Sequence, residues 1–243
     1  MSIFGLATRN YRKIIKSIGM RGVKNTCVYA MQWPVIVLKE RRSLRERNKI
    51  QFEFDRRYGT DTAGIIPLSA FAIDNPEWVH GVRYAPTSPQ VFRDAIALLN
   101  LSAEEARKFS FVDVGSGKGA VLLYAADLQF KAIYGIELVH QLHVIASKNI
   151  ELYPAARANT QSLCVDATTF RMPAPPLVVF LNYPFSSKEL MERVIANISR
   201  SGPGPKFIVA TNFPYDPSAG SQSKLRLIKR VETHRANYAF EMI

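Results

Sequence analysis

The stretch Phe111-Val112-Asp113-Val114-Gly115-Ser116-Gly117-Lys118-Gly119-Ala120 constrains the fold more than any other part of this 243-residue chain. Phe111, Val112 and Val114 read as a short buried strand, and Ala120 to Ala126 as a packed helix. Between them, three glycines at alternate positions make a strand-to-helix turn almost bare of side chains. Backbone N–H groups and the helix N-terminus can then approach a ligand closely.

Three nucleotide-binding patterns compete for this turn. A phosphate-cradling loop needs G-x-x-x-x-G-K-[ST]. In this chain Gly119 follows Gly117-Lys118, and Val112 stands where the first glycine would be. A dinucleotide fingerprint needs G-x-G-x-x-G, but residue 120 is alanine and the third glycine comes one position early. The remaining pattern is acidic-x-Gly-x-Gly-x-Gly, which Asp113 completes. It resembles the first motif of the class I S-adenosylmethionine-dependent methyltransferases. The resemblance implies that Asp113 orients the cofactor's amino-acid end and that Gly115, Ser116, Gly117 and Gly119 border it. The alternative is an unliganded tight turn.

Two more acids follow at strand ends. Lys131 to Glu137 reads as a second strand, and Glu137 stands at about the interval at which an acid meets ribose hydroxyls in nucleotide-binding α/β folds. A carboxylate suits a vicinal diol because it accepts two hydrogen bonds. Otherwise Glu137 is a surface acid at a strand end. Ser162 to Val165 forms a third strand running into Asp166. In the resembled superfamily an acid at this point accepts from the adenine amino group; the other reading is a turn or helix cap.

Leu177 to Leu181 is a fourth strand leading directly into Asn182-Tyr183-Pro184-Phe185. Open parallel sheets bind ligands at the carboxyl ends of their strands, so this tetrad is the catalytic candidate. It resembles the Asn/Asp-Pro-Pro-aromatic motif of amino-methylating enzymes, from which Tyr183 departs. The resemblance implies that Asn182 orients the nucleophile beside the cofactor while Tyr183 and Phe185 wall the site. A second tetrad, Asn212-Phe213-Pro214-Tyr215, follows a fifth strand at Phe207–Thr211. The two read as an aromatic-walled mouth or, more plainly, as two strand-end turns.

Tyr84-Ala85-Pro86-Thr87 precedes a helix over Pro89 to Leu99. This segment resembles the pre-core region of seven-strand protein lysine methyltransferases related to the non-SET histone-methylating enzymes. Tyr84 and Thr87 would then lie against the cofactor; a proline turn with a packed tyrosine is the alternative. Phe54 to Thr62 resembles a stretch preceding the core in a bacterial family of the same class, and its Asp61 and threonines equally suit a turn cap.

The resulting expectation is a doubly wound, mainly parallel seven-stranded α/β sheet. Residues 81–243 form the cofactor-binding domain, with Leu225–Glu232 and Asn237–Met242 as the closing strands. Residues 1–80 form a basic, mainly helical extension. Residues 1–57 hold 14 Lys/Arg against 4 Asp/Glu, which leaves only +2 of the net +12 for the remainder. Such asymmetry points to an acidic surface, nucleic acid or anionic membrane as the extension's partner. Residues 3–18 read as a basic amphipathic helix. The apolar run 27–38 is shorter than the ~20 residues of a membrane span, and Pro34 interrupts it. Cys27 and Cys164 make no ligand or disulfide pattern, and His140 and His143 lack supporting ligands, so no metal is expected. The chain is thus expected to be cytoplasmic, or peripheral at a membrane, and to transfer a methyl group to nitrogen. A protein lysine is the favoured acceptor, with an RNA or DNA base as the alternative and a non-catalytic docking module as the third reading.

Overall fold

The computed structural model describes residues 46, 48–71, 80–213, 225–232 and 236–243. The basic helix expected over residues 3–18, the apolar run 27–38, and Pro214 and Tyr215 of the second tetrad lie outside them. The chain divides into two compact units, Met1–Lys49 and Ile50–Ile243, and the second contains the sheet. That unit begins well ahead of the expected boundary at residue 81, because residues 50–71 supply part of its packing.

Seven strands form one sheet: β1 (Ser110–Val114), β2 (Ala132–Glu137), β3 (Thr160–Cys164), β4 (Leu177–Leu181), β5 (Lys206–Phe213), β6 (Leu225–Glu232) and β7 (Ala236–Met242). Their order is β3-β2-β1-β4-β5-β7-β6. The pairings among β1 to β5 are parallel, while β7 runs antiparallel to both β5 and β6. This is the doubly wound, mainly parallel sheet expected from the sequence. The central strands β1 and β4 are buried at all five positions, as strands covered on both faces must be.

Alternation along those strands feeds two cores. Phe111, Val178 and Phe180 pack on one face with α2 (Pro89–Ile96), with Ala106 of the short α3 (Ala103–Ala106), and with α4 (Ala120–Asp127). Val112, Val114, Val179 and Leu181 pack on the other with α6 (Lys188–Ser199). A helix over residues 48–58 (α1) and the end of α5 (His140–Leu152) add Phe54, Tyr58 and Ile150 to the first core. Truncating a buried ring such as Phe111 to Ala costs about 3–5 kcal/mol. The helix expected over Pro89 to Leu99 starts as anticipated, with the Ser88 Oγ accepting from Val91 N at 3.3 Å and Pro89 in the first turn. Its last three residues tighten into a 3₁₀ turn, Ala97–Leu99.

Strand order reverses between β1 and β4, whose connections leave toward opposite faces. A crevice therefore opens at their carboxyl ends, and in sheets of this kind that is where ligands bind.

Candidate functional site

The glycine turn leaves β1 with Gly115 N and Ser116 N donating to the Ile136 carbonyl at 2.8 and 3.1 Å. Gly115, Gly117 and Gly119 all hold positive φ, at 75°, 56° and 84°. At Gly117 the need for glycine is double, since a Cβ there would also overlap the Tyr84 ring. The Tyr84 hydroxyl donates to the Thr62 carbonyl at 2.5 Å, which holds the ring down over the turn. Gly135, on the neighbouring strand, leaves room for Ser116 and Leu122.

A cleft with about 1080 Å³ of empty space, open solvent included, runs along the carboxyl ends of β1, β2 and β4. Its walls bring together Tyr84, Thr87, Asp113, Gly115, Ser116, Gly117, Glu137, Asp166, Asn182 and Phe185, ten of the twelve residues singled out in the sequence.

Asp113 is only 3% exposed, and no side-chain hydrogen bond reaches its carboxylate among the described residues. Burial, and secondarily the nearby Glu137 charge, push its pKa well above the usual carboxylate range. Glu137 is 7% exposed; its Oε2 accepts from Gly117 N at 2.7 Å and its Oε1 from Val139 N at 2.8 Å. Burial raises its pKa too, against the opposing pull of those backbone donors. The Leu138 backbone also acts on this carboxylate, and of its about four lone-pair positions some acceptor capacity remains. Ser116 Oγ is buried with no hydrogen-bond partner among the described residues. Buried polar groups are rarely left so.

Asp166 is a turn cap that also lines the cleft. Its Oδ1 caps the turn by accepting from Thr168 N at 2.7 Å and Thr168 Oγ1 at 2.8 Å, while the residue lines the cleft. At the β4 end, Asn182 Nδ2 donates to Thr87 Oγ1 at 2.7 Å. Its Oδ1 accepts from Thr211 Oγ1 at 3.1 Å and Asn212 Nδ2 at 2.5 Å. The Asn182 oxygen is thus committed twice, so its side chain is a fixed strut rather than an open acceptor.

Two expected positions lie elsewhere. Tyr183 does not line the cleft: it adopts φ 43°, and its ring packs edge-on against Phe213 with centroids 5.4 Å apart. Phe213 is itself core, as the strand-end-turn reading of the second tetrad has it, and of the two tetrads' described aromatic residues only Phe185 lines the cleft, beside Phe71 and Tyr84. Gly119 also stands off the wall, at the N-terminus of α4, where its missing Cβ lets Ala146 approach. His143 bonds Ser162 Oγ at 2.9 Å, and among the described residues no group of three or more His, Cys, Asp or Glu side chains gathers in a way that would hold a metal ion. No helix among the described residues is long and apolar enough to cross a membrane.

Sequence reasoning missed Arg83 and the residues that hold the turn from behind. Arg83 is exposed on the cleft wall, in a segment pinned at both ends by the bridges Gly81↔Phe185 and Ile66↔Tyr84. It is the only cation among the described wall residues.

No protein-family model matches the chain, and no curated protein matches it by sequence. Solved structures do share its outline. An RNA methyltransferase from Salinibacter ruber, in complex with S-adenosyl-L-homocysteine, aligns at 16% identity and a TM-score of 0.48, over 65% of this chain and 94% of that one. An S-adenosylmethionine-dependent methyltransferase from Aquifex aeolicus aligns at 13% and 0.44, over 65% of this chain and all of that one. The 16S rRNA N2 methyltransferase from Thermus thermophilus, in complex with AdoMet and guanosine, aligns at 19% and 0.48, over 65% of this chain and 43% of that one. The strand order and the crevice of this chain define the fold independently of these likenesses.

Proposed function

We propose that this chain is an S-adenosylmethionine-dependent methyltransferase acting on a nitrogen of an RNA base. One observation carries the cofactor: two buried carboxylates, Asp113 and Glu137, and an unpartnered buried hydroxyl, Ser116 Oγ, on the wall of one cleft beside a bare glycine turn. Such a site is deficient in positive charge and in donors. S-adenosylmethionine brings an ammonium, a sulfonium, a ribose diol and an adenine amino group, and it supplies an already activated methyl.

Asp113 would hold the amino-acid end, Glu137 the ribose hydroxyls with its remaining acceptor capacity, and Asp166 the adenine edge. Ser116 and the Gly115–Gly117 backbone would border the cofactor, with Tyr84 closing over the turn. Asn182 would keep the β4 end in one shape, and Phe185 would give the acceptor a flat wall. Since the methyl donor is activated, the protein's main contribution is in-line positioning.

The acceptor follows from what the wall lacks. A lysine amine has an unperturbed pKa near 10.4 and must lose a proton before attack. Tyr183, assigned from the sequence to the wall of the aromatic channel that would favour the amine's neutral form, packs instead on Phe213. The only described carboxylates on the cleft wall, Asp113, Glu137 and Asp166, are those assigned to the cofactor. An exocyclic base amine is already neutral and stacks on a single aromatic face. The net charge of +12 and the exposed Arg83 favour a phosphate-bearing partner over a basic protein tail.

Calorimetry with S-adenosylmethionine tests the first half: micromolar binding that Asp113→Ala and Glu137→Ala each weaken at least 10-fold supports it, and no binding by folded wild type sinks it. Transfer of labelled methyl from the cofactor to RNA, but not to a lysine-rich protein, tests the second. The reverse outcome would return lysine as the acceptor.

A further inference from the structure

Lys118 is the one long side chain in the glycine turn, and the proposed chemistry gives it no part. Its residue is 6% exposed, and its amine turns away from the cleft wall. Nζ lies 2.6 Å from Asp61 Oδ1 and donates to the Ala63 carbonyl at 3.0 Å. Asn149, on α5, clamps the same two segments. Its Nδ2 donates to the Lys118 carbonyl at 2.8 Å and to the Asp61 carbonyl at 2.9 Å, and its Oδ1 accepts from Asp61 N at 2.8 Å.

The segment that Lys118 and Asn149 grip is itself rigid. The Asp55 carboxylate accepts from Thr60 Oγ1, Thr62 Oγ1, Thr62 N and Ala63 N, all at 2.7–2.8 Å. Gln51 ties the same knot to the core, bonding Thr62 Oγ1 and the Tyr124 hydroxyl. From that knot the Thr62 carbonyl takes the Tyr84 hydroxyl. Tyr84 covers Gly117, whose N–H reaches Glu137. A continuous path of contacts thus leads from Asp55 to the ribose-facing carboxylate.

We propose that residues 55–63 are a strap that fixes the glycine turn in its ligand-ready shape, with Lys118, Asp61 and Asn149 as positioning residues for the cofactor. This rests on the methyltransferase reading of the cleft. A turn with three residues at positive φ has little side-chain packing of its own to choose among backbone shapes. Ordering it on binding would cost affinity, and a strap that orders it beforehand removes that cost. The Asp61 side chain is 63% exposed and the Lys118 side chain only 8%, so solvent screens the pair from one side and loss of either partner also costs some stability. The pair's effect on the site is on where the turn sits.

The test uses the full chain with Lys118→Met, Asp61→Asn and the double variant, and reads three quantities: affinity for S-adenosylmethionine, amide exchange at Gly117, and the unfolding midpoint. Each single variant is expected to weaken binding about 10-fold and to speed Gly117 exchange, while any fall in the midpoint leaves the chain folded at the assay temperature. The double variant should be no worse than either single one, since both break the same tie. Lys118→Arg should restore both affinity and slow exchange. Wild-type affinity together with unchanged Gly117 exchange in Lys118→Met would overturn the proposal. If wild type itself binds no S-adenosylmethionine, the methyltransferase reading fails, while Gly117 exchange still decides whether the strap fixes the turn.

Discussion

At the scale of single residues, the site is held at a cost to the folded state. Desolvation raises the pKa of both Asp113 and Glu137, and the Glu137 charge adds to the shift at Asp113. Between the ordinary carboxylate pKa near 4 and their raised folded values, the native chain keeps protons that the unfolded chain has released. Unfolding stability of the free protein therefore falls as pH rises through that window, and stays low above it. Binding of the proposed cofactor would run the other way at Asp113, because the ionised carboxylate is the form that attracts an ammonium. Asp113→Asn is accordingly expected to raise the melting temperature of the free protein at pH 7 by a few degrees and to flatten its decline with pH. The same change should weaken S-adenosylmethionine at least 10-fold, the loss typical of a hydrogen bond to a charged group. Melting curves from pH 4 to 8, with and without cofactor, check both halves; a variant less stable than wild type at pH 7 would contradict the argument. Gly117→Ala should do harm of another kind. Its left-handed backbone costs an alanine about 1–2 kcal/mol, and the new Cβ displaces Tyr84. A drop of several degrees in the unfolding midpoint is expected, together with loss of cofactor binding.

At the scale of elements, the end of β5 decides what Asn182 can do. The register of β5 against β7 shifts between Ala210 and Phe213, and Asn212 within that shift sits at φ 61°. A bulge of this kind re-aims side chains beside a site. In this sheet it delivers Thr211 Oγ1 and Asn212 Nδ2 to the same oxygen of Asn182. Thr211→Val keeps the shape and removes one donor, so the Asn182 amide is expected to lose its fixed plane. Turnover should fall about 10-fold, a loss of roughly 1.4 kcal/mol, with cofactor affinity unchanged. Equal loss in both would place Thr211 in cofactor binding instead. None of this was legible in the sequence, where β5 reads as ending at Thr211 and the second tetrad as a companion wall or a plain strand-end turn. The glycine turn, Asp113 and Glu137 were legible because a strand, a turn and a helix are set by periodicity within about twenty residues. The strap was legible only as the stretch Phe54 to Thr62 with Asp61 in it; its tie to Asn149 crosses 88 positions of chain, and nothing local marks that partner. Tyr183 misled for the same reason: its local pattern suggested a wall, but packing on Phe213 set its direction.

For the whole molecule, the distribution of charge separates where chemistry occurs from where a polyanion is attracted. Residues 1–57 carry a net +10 and the rest of the chain only +2. The wall of the cleft is acidic, with Arg83 its one described cation. An RNA acceptor would thus be drawn mainly by the N-terminal residues and only oriented at the cleft. Binding of single-stranded RNA releases about 0.7 counterion per phosphate neutralised, so affinity should fall steeply as salt rises from about 50 to 200 mM. Replacing Lys39, Arg41 and Arg42 together by Gln should flatten the log–log salt slope by about 2 and weaken RNA binding at low salt. S-adenosylmethionine affinity should not change, because the residues assigned to the cofactor all lie between Tyr84 and Asn182. The measurement is RNA binding by fluorescence anisotropy across a series of salt concentrations, beside cofactor calorimetry on the same preparation. A slope that the triple substitution leaves intact would move RNA attraction off the N-terminal residues. A substitution that weakened the cofactor as well would show that the two functions are not separable along the chain.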